Sequence, residues 1–307
     1  MLAKRKSRFN WQGFIMANLS VVFLLIFAYI PMFGVLFAFK DLDFSINIIP
    51  DFINKPFVGF KKFTEFFTDR QFNNIMLNTL GLNIIKLCVS FPLPILLALL
   101  LNEVRTKRFR KTVQAITSFP HFVSWAIFGG LVLTLISADG GAINSLLVTV
   151  RILEKPINFA TKPQFFWAIA ITAGITKGIG WGSIIYLAAI AGVDQQLYES
   201  AVLDGANRRQ MALHITLPCI IGTIIVLLLF NISGILGNSF EEFYILQNSL
   251  NISRSEVLTT FIYKVGISQR KYSYTTAVGL FSSAVGILLL TGSNIVAKRV
   301  TGRGLYN

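Results

Sequence analysis

Six long apolar segments alternate with polar connections: Phe14 to Phe39, Thr79 to Leu101, Ser118 to Ser137, Phe165 to Ile190, Leu217 to Gly237 and Ala277 to Ala297. Each is of the order of the ~20 apolar residues that cross a hydrocarbon core about 30 Å thick. The pattern therefore predicts an all-α integral membrane protein with six transmembrane helices. The first segment follows Lys4, Arg5, Lys6 and Arg8 as a signal peptide would, but it is too long and no small-residue cleavage site follows it. It is read as an uncleaved span, with Phe9 and Trp11 on a short interfacial helix before it. Pro31, Pro92, Pro94 and Pro120 fall within or near spans and predict kinks, because neighbouring helices can satisfy the carbonyls that a proline frees. No linker or repeat divides the chain, which reads as an N-terminal segment 1–13, a six-span domain 14–297 and a tail 298–307.

One polar stretch between two spans has a shape of its own. Residues 194–218, DQQLYESAVLDGANRRQMALHITLP, predict two short helices with a hard turn between them. Asp194 is placed to cap the first helix. Asp204-Gly205 breaks it, since glycine tolerates positive φ and aspartate bonds its own backbone. Pro218 suits the opening of the next span, where its missing N–H is no loss. Two readings stand at this point: an ordinary connection, or a shaped element with a partner.

Composition supports the membrane assignment, with 54% hydrophobic and 14% charged residues. The net charge of +14 raises the possibility of a nucleic-acid partner, which the distribution of charge removes. With both termini in the cytoplasm, the inner segments hold fourteen basic residues against four acids and the outer loops twelve against ten. That asymmetry is the positive-inside signal of a membrane protein. Cys88 and Cys219 fall in or at the edge of apolar segments and read as small core residues, offering neither a disulfide framework nor a zinc site. A phosphate-binding G-x-x-x-x-G-K-[ST] run and H-E-x-x-H are both missing from the sequence, and the two histidines, His121 and His214, are predicted on opposite sides of the membrane. The outer loops carry aromatics, Phe57, Phe60, Phe63, Tyr244, Tyr263, Tyr272 and Tyr274 among them, that suit interfacial anchoring or a docking surface.

Chemistry inside the spans centres on two lysines, because an ionisable group at membrane depth is costly and faces a bundle interior or a wet cavity. Lys86 is near enough to its helix end to snorkel outward. Lys177 is nearer mid-span, within Gly174-x-x-x-Gly178-x-x-x-Gly182 and beside Trp181. That glycine stripe reads either as close helix packing or as the wall of a passage, with Trp181 offering a ring face and Lys177 a hydrogen-bond donor. At the outer end of the fifth span, Phe240, Glu241 and Glu242 form a polar and aromatic group whose acids face water, a cavity or a lysine; a salt bridge to Lys177 is one arrangement.

The spacing Glu199-Ser200-Ala201, two residues, Asp204-Gly205-Ala206, eight residues, Ile215-x-Leu217-Pro218 resembles the loop signature of permease subunits of binding-protein-dependent ABC importers. The departure is Ser200 for the central alanine. Softer similarities, at Tyr29-Ile30-Pro31-Met32-Phe33-Gly34, Ala98 to Arg105, Phe119 to Trp125 and the tail Gly302 to Tyr306, point to the sugar-importer branch of maltose-permease type and its oligo- and polysaccharide subfamily of LplB type. The resemblance implies a type I ABC importer fold in the bacterial cell membrane. It implies a second homologous permease, two ATPase subunits holding ATP and Mg²⁺, an extracellular solute-binding protein and a carbohydrate substrate, with no cofactor or catalysis in this chain. Tyr198, Glu199, Ser200, Ala201, Asp204, Gly205, Ala206 and Pro218 would then couple to the ATPase, Glu199 facing one of its basic groups. Gly174, Lys177, Gly178, Trp181, Phe240, Glu241 and Glu242 would line the substrate path. The acids, where related permeases have amides, suit a charged or amino-substituted saccharide as well as neutral hydroxyls. A permease for peptides or metal chelates, a channel and an intramembrane enzyme are the alternatives.

Overall fold

The computed structural model describes residues 11–237, 239–302 and 304–305. The basic residues Lys4, Arg5, Lys6, Arg8 and Arg303, with Phe9 and Tyr306, lie outside the described residues. The described chain is helical, its extended pairing confined to an isolated bridge between Lys40 and Phe57. Among the described residues, five helices are long and apolar enough to cross a membrane: α1 (Trp11–Phe39), α2 (Phe72–Glu103), α5 (Pro163–Ala191), α7 (Arg208–Ser233) and α9 (Tyr272–Thr301). A sixth crossing is available only as a bent pair, α3 (Lys107–Phe122) and α4 (Trp125–Leu135), which meet at 103°. The predicted third span is thus broken rather than kinked. α6 (Gln195–Leu203) and α8 (Phe240–Leu246) are short helices on either side of α7.

The chain forms two compact units. One contains the residues up to Thr68 together with Lys264–Phe281. Here α1 is apolar on every face and exposed from Trp11 to Phe33, the character of a helix solvated by lipid. Trp11 is continuous with α1, so the tryptophan assigned to a separate interfacial helix belongs to the span. A π turn at Leu25–Tyr29 precedes Pro31, and the helix tightens to 3₁₀ geometry at Phe33–Phe39, which accommodates the proline. The connection after α1 is tied to the start of α9: Leu42 N–H donates to Ser273 Oγ at 2.8 Å and Tyr274 N–H to Asp43 Oδ1 at 3.1 Å. Lys62 is buried among acids, 2.7 Å from Asp43 and 3.0 Å from Asp41. Burial alone would lower its pKa, but hydrogen bonds to Asp43 and Asp41 and the charges of Asp43 and Glu65 outweigh it, and the ammonium titrates above its ordinary value.

The second unit contains residues 69–263 and 282–307. Its centre is α5, flanked by α2 and α3. Gly180 permits the closest approach: a Cβ there would overlap the backbone of Thr117 on α3. A Cβ at Gly182 would sit 3.1 Å from Pro94 of α2. One core cluster joins Leu82, Phe128, Phe166, Ala170, Ala173 and Phe243; another joins Ala98, Tyr186, Ile190, Val193 and Ile220. α2 breaks at Phe91 and restarts on Pro92, whose ring needs no N–H in a first turn. The cysteine expectation is corrected here, since Cys88 and Cys219 are both exposed on the outer faces of their helices. An apolar helix in lipid needs no water-avoiding core, so burial does not follow from hydrophobicity.

Candidate functional site

The loop of residues 194–218 is built by local bonds. Asp194 caps α6 by accepting the N–H of Gln196 at 3.0 Å. At the far end Ala206 N–H reaches Ala201 C=O at 2.9 Å and Gly205 N–H reaches Val202 C=O at 3.1 Å, a Schellman closure that requires Gly205 at φ +79°. Asn207 then starts α7 through a reciprocal box, accepting from Gln210 N–H at 3.0 Å while its own N–H donates to Gln210 Oε1 at 2.8 Å. Sequence reasoning passed over this N-x-x-Q box, although its spacing is a recognised start signal. The second predicted short helix is therefore the first turns of the span itself, continuing through a π turn at Ala212–Thr216 to Pro218. Tyr198 is turned inward, its hydroxyl 2.9 Å from Thr216 Oγ1, and Arg208 reaches the carbonyl of Glu103 at the end of α2. These contacts brace α6 and the root of α7. Outward α6 presents Glu199, Ser200, Asp204, Val202 and Leu203, the last 89% exposed.

Inside the bundle the structure separates residues that the sequence grouped. Lys177 is a cap: its ammonium donates to the carbonyls of Pro120 at 3.0 Å, His121 at 3.1 Å and Val123. These carbonyls end α3, where helical partners run out. An ammonium has three donors, and all three are committed. Lys177 thus holds the break between α3 and α4, and its donors go to these carbonyls and not into a salt bridge with Glu241. Trp181, one turn on, is 42% exposed and stacks on His121 at 4.7 Å, with Phe122 edge-on at 5.6 Å.

Glu242 is instead bound to Lys86, which lies 2.6 Å from its Oε2 and 2.8 Å from Ser239 Oγ. Lys86 does not snorkel. Ser239, at φ +68°, turns the chain into α8 and delivers the hydroxyl to the ammonium. Gly174 makes room for this pair, since a Cβ there would lie 2.9 Å from Glu242 Oε1 and 3.4 Å from Lys86 Nζ. Gly178 faces open space, so the stripe is divided between packing at Gly182, accommodation of the ion pair at Gly174 and a free wall at Gly178. Glu241 is exposed, and Phe240 stacks on Tyr244 at 5.3 Å with Tyr263 beside it. A cavity of about 290 Å³ lies between α2, α5 and α7, lined by Asn83, Lys86, Ser90, Tyr186, Asn231 and Ser239 among others. Lys86 signalled itself as a charge at depth, but its partner lies 156 residues away and no local pattern points there.

Residues 90–302 match the family described as binding-protein-dependent transport system inner membrane component. The chain belongs to this family. As an inner membrane component of that system it is a multi-pass permease subunit of the cell membrane. It is similar to protein LplB of Bacillus subtilis (strain 168), 42% identical over 94% of this chain and 88% of the relative. A second relative from the same organism, the polygalacturonan/rhamnogalacturonan transport system permease protein YteP, is also 42% identical, over 93% and 87%. A chain of a bacterial alginate ABC transporter, solved in complex with an alginate pentasaccharide-bound periplasmic protein, superposes with a TM-score of 0.86 at 38% identity, covering 96% of both chains. The predicted all-α permease fold and the ABC-importer assignment agree with these relatives. The matched segment of the permease includes the loop, the Lys177 cap and the Glu242 side of the ion pair.

Proposed function

We propose that this permease subunit moves an oligosaccharide or polysaccharide fragment across the membrane, received from an extracellular binding protein and driven by ATP hydrolysis in separate ATPase subunits that hold the ATP and Mg²⁺. A second homologous permease completes the path, and both termini of this chain are cytoplasmic. The observation that carries the reading is the loop: α6 is capped at both ends, is braced to α7 by Tyr198, and exposes Glu199 beside two uncovered aliphatic side chains, while Arg208 ties the root of α7 to α2. A rigid short helix rooted in a span transmits a displacement as a body. Val202 and Leu203 suit the apolar floor of an ATPase cleft, and Glu199 a basic group at its rim. The relatives named for polysaccharide transport support the solute class.

Along the path, Gly178, Trp181 and Phe240 remain suited to solute, while Gly174 and Lys177 serve the fold. The chain itself performs no catalysis. Uptake of saccharide into proteoliposomes by the assembled importer is expected to vanish when the ATPase subunits are catalytically dead; uptake that persists down a gradient would make this a channel instead.

A further inference from the structure

Lys86 and Glu242 are not equivalent members of their pair. The ammonium lines the cavity between α2, α5 and α7, whereas the carboxylate lies behind it, only 2% exposed and outside the lining. Two of the three N–H donors of Lys86 are used, by Glu242 and Ser239; the ammonium also lies 5.3 Å from the centroid of the Phe243 ring, and its third N–H has no hydrogen-bond acceptor among the described residues. No acid belongs to the lining, whose other polar members, Asn83, Ser90, Tyr186, Asn231 and Ser239, are amides and hydroxyls. Ser90 stands one turn from Lys86 on the same helix, and its buried hydroxyl has no hydrogen-bond partner. The volume, about 290 Å³, is near the lower end of the ~300–1,000 Å³ typical of small-molecule sites.

We propose that this cavity is a recognition site for an acidic sugar unit, with Lys86 receiving a uronate carboxylate and Ser90, Asn83 and Asn231 its hydroxyls. The proposal rests on the carbohydrate reading above and narrows it. A carboxylate at the free donor of Lys86 is nearer to the ammonium than to Glu242 behind it, so attraction outweighs repulsion in a partly dehydrated site. An amino-sugar gains nothing comparable: Glu242, whose Oε2 is bound to Lys86 and whose Oε1 has no partner among the described residues, is only 2% exposed and outside the lining, and Glu241 is exposed elsewhere. Glu242 and Ser239 hold the ammonium in place at the cavity wall, so the site does not depend on solute to position it.

The test uses the importer assembled with its partner subunits and binding protein in proteoliposomes, supplied with oligogalacturonate or with the same oligomer after its carboxyls are reduced to neutral alcohols. Lys86→Gln is expected to raise the KM for the acidic oligomer about tenfold or more and to change that for the neutral one less than about twofold. With Lys86→Gln assembled at the wild-type level, an equal effect on both oligomers, or on neither, overturns the proposal. Ser90→Ala removes a hydroxyl that bonds nothing, so it assembles even if Lys86→Gln does not. It is expected to raise the KM for the acidic oligomer several-fold, and an unchanged KM for that oligomer overturns the site. Uptake of neither oligomer by the wild-type importer sinks the carbohydrate reading and this proposal with it, whereas uptake of both with Lys86→Gln acting equally sinks only the proposal.

Discussion

The loop at residues 194–218 and the Lys86–Glu242 pair are both polar insertions in an apolar bundle, and they are held by opposite means. Most of the loop's bonds join residues two to five apart, from Asp194–Gln196 to Ala201–Ala206, with Tyr198–Thr216 a longer brace and Arg208–Glu103 a tie to α2. The ion pair joins residues 156 apart and depends on Gly174 for its space. A self-shaped loop can face outward and meet another protein without help from the bundle. An interior pair exists only while α2, α5 and α8 are packed, so its charge reports on that packing. Stability should therefore be sensitive at the pair and tolerant at the loop, while coupling should show the reverse.

Substitutions rank the difference. Lys86→Met strands a buried carboxylate and is expected to cost about 3–5 kcal/mol, read as a lowered unfolding midpoint in detergent. An unchanged midpoint would mean that the pair contributes no more than a surface bridge. Lys177→Met leaves the end of α3 without its donors, and a loss of about 2 kcal/mol is expected. The same variant should raise hydrogen exchange around Val123 and Ser124; exchange as slow as in the wild type would contradict the cap. Asn207→Ala opens the box at the start of α7 for about 1 kcal/mol, with faster exchange confined to the loop. If its effect exceeded that of Lys86→Met, the comparison would be inverted.

How far each region could be read beforehand follows from the same contrast. Asp194, Gly205 and Pro218 take the roles that their residue types dictate, because caps, positive-φ turns and first-turn prolines are local matters. The helical type of the spans and five of the six were equally legible, since length and hydropathy decide them, while the third is a bent pair of helices. Lys177 and Glu242 were visible as charges at depth, yet not as members of different sites: Lys177 found backbone carbonyls and Glu242 found Lys86. Nothing in the spacing of residues 86, 177 and 242 distinguishes the two pairings, which depend on how α5 is rotated between α2 and α3. The break after Phe122 was hidden for a related reason, because its stability comes from a lysine on another helix. The exposed cysteines show that in lipid an apolar residue has no preferred side.

If work done in another chain enters through α6, as proposed, reversing the charge of Glu199 interrupts it. The Glu199 side chain is exposed and makes no ion pair among the described residues, so Glu199→Lys is expected to move the unfolding midpoint by the equivalent of no more than about 0.5 kcal/mol. The measurement is ATP-dependent saccharide uptake by the reconstituted importer carrying this one reversal. Loss of uptake, with the permease still folded, is the result predicted; uptake equal to the wild type would contradict the account.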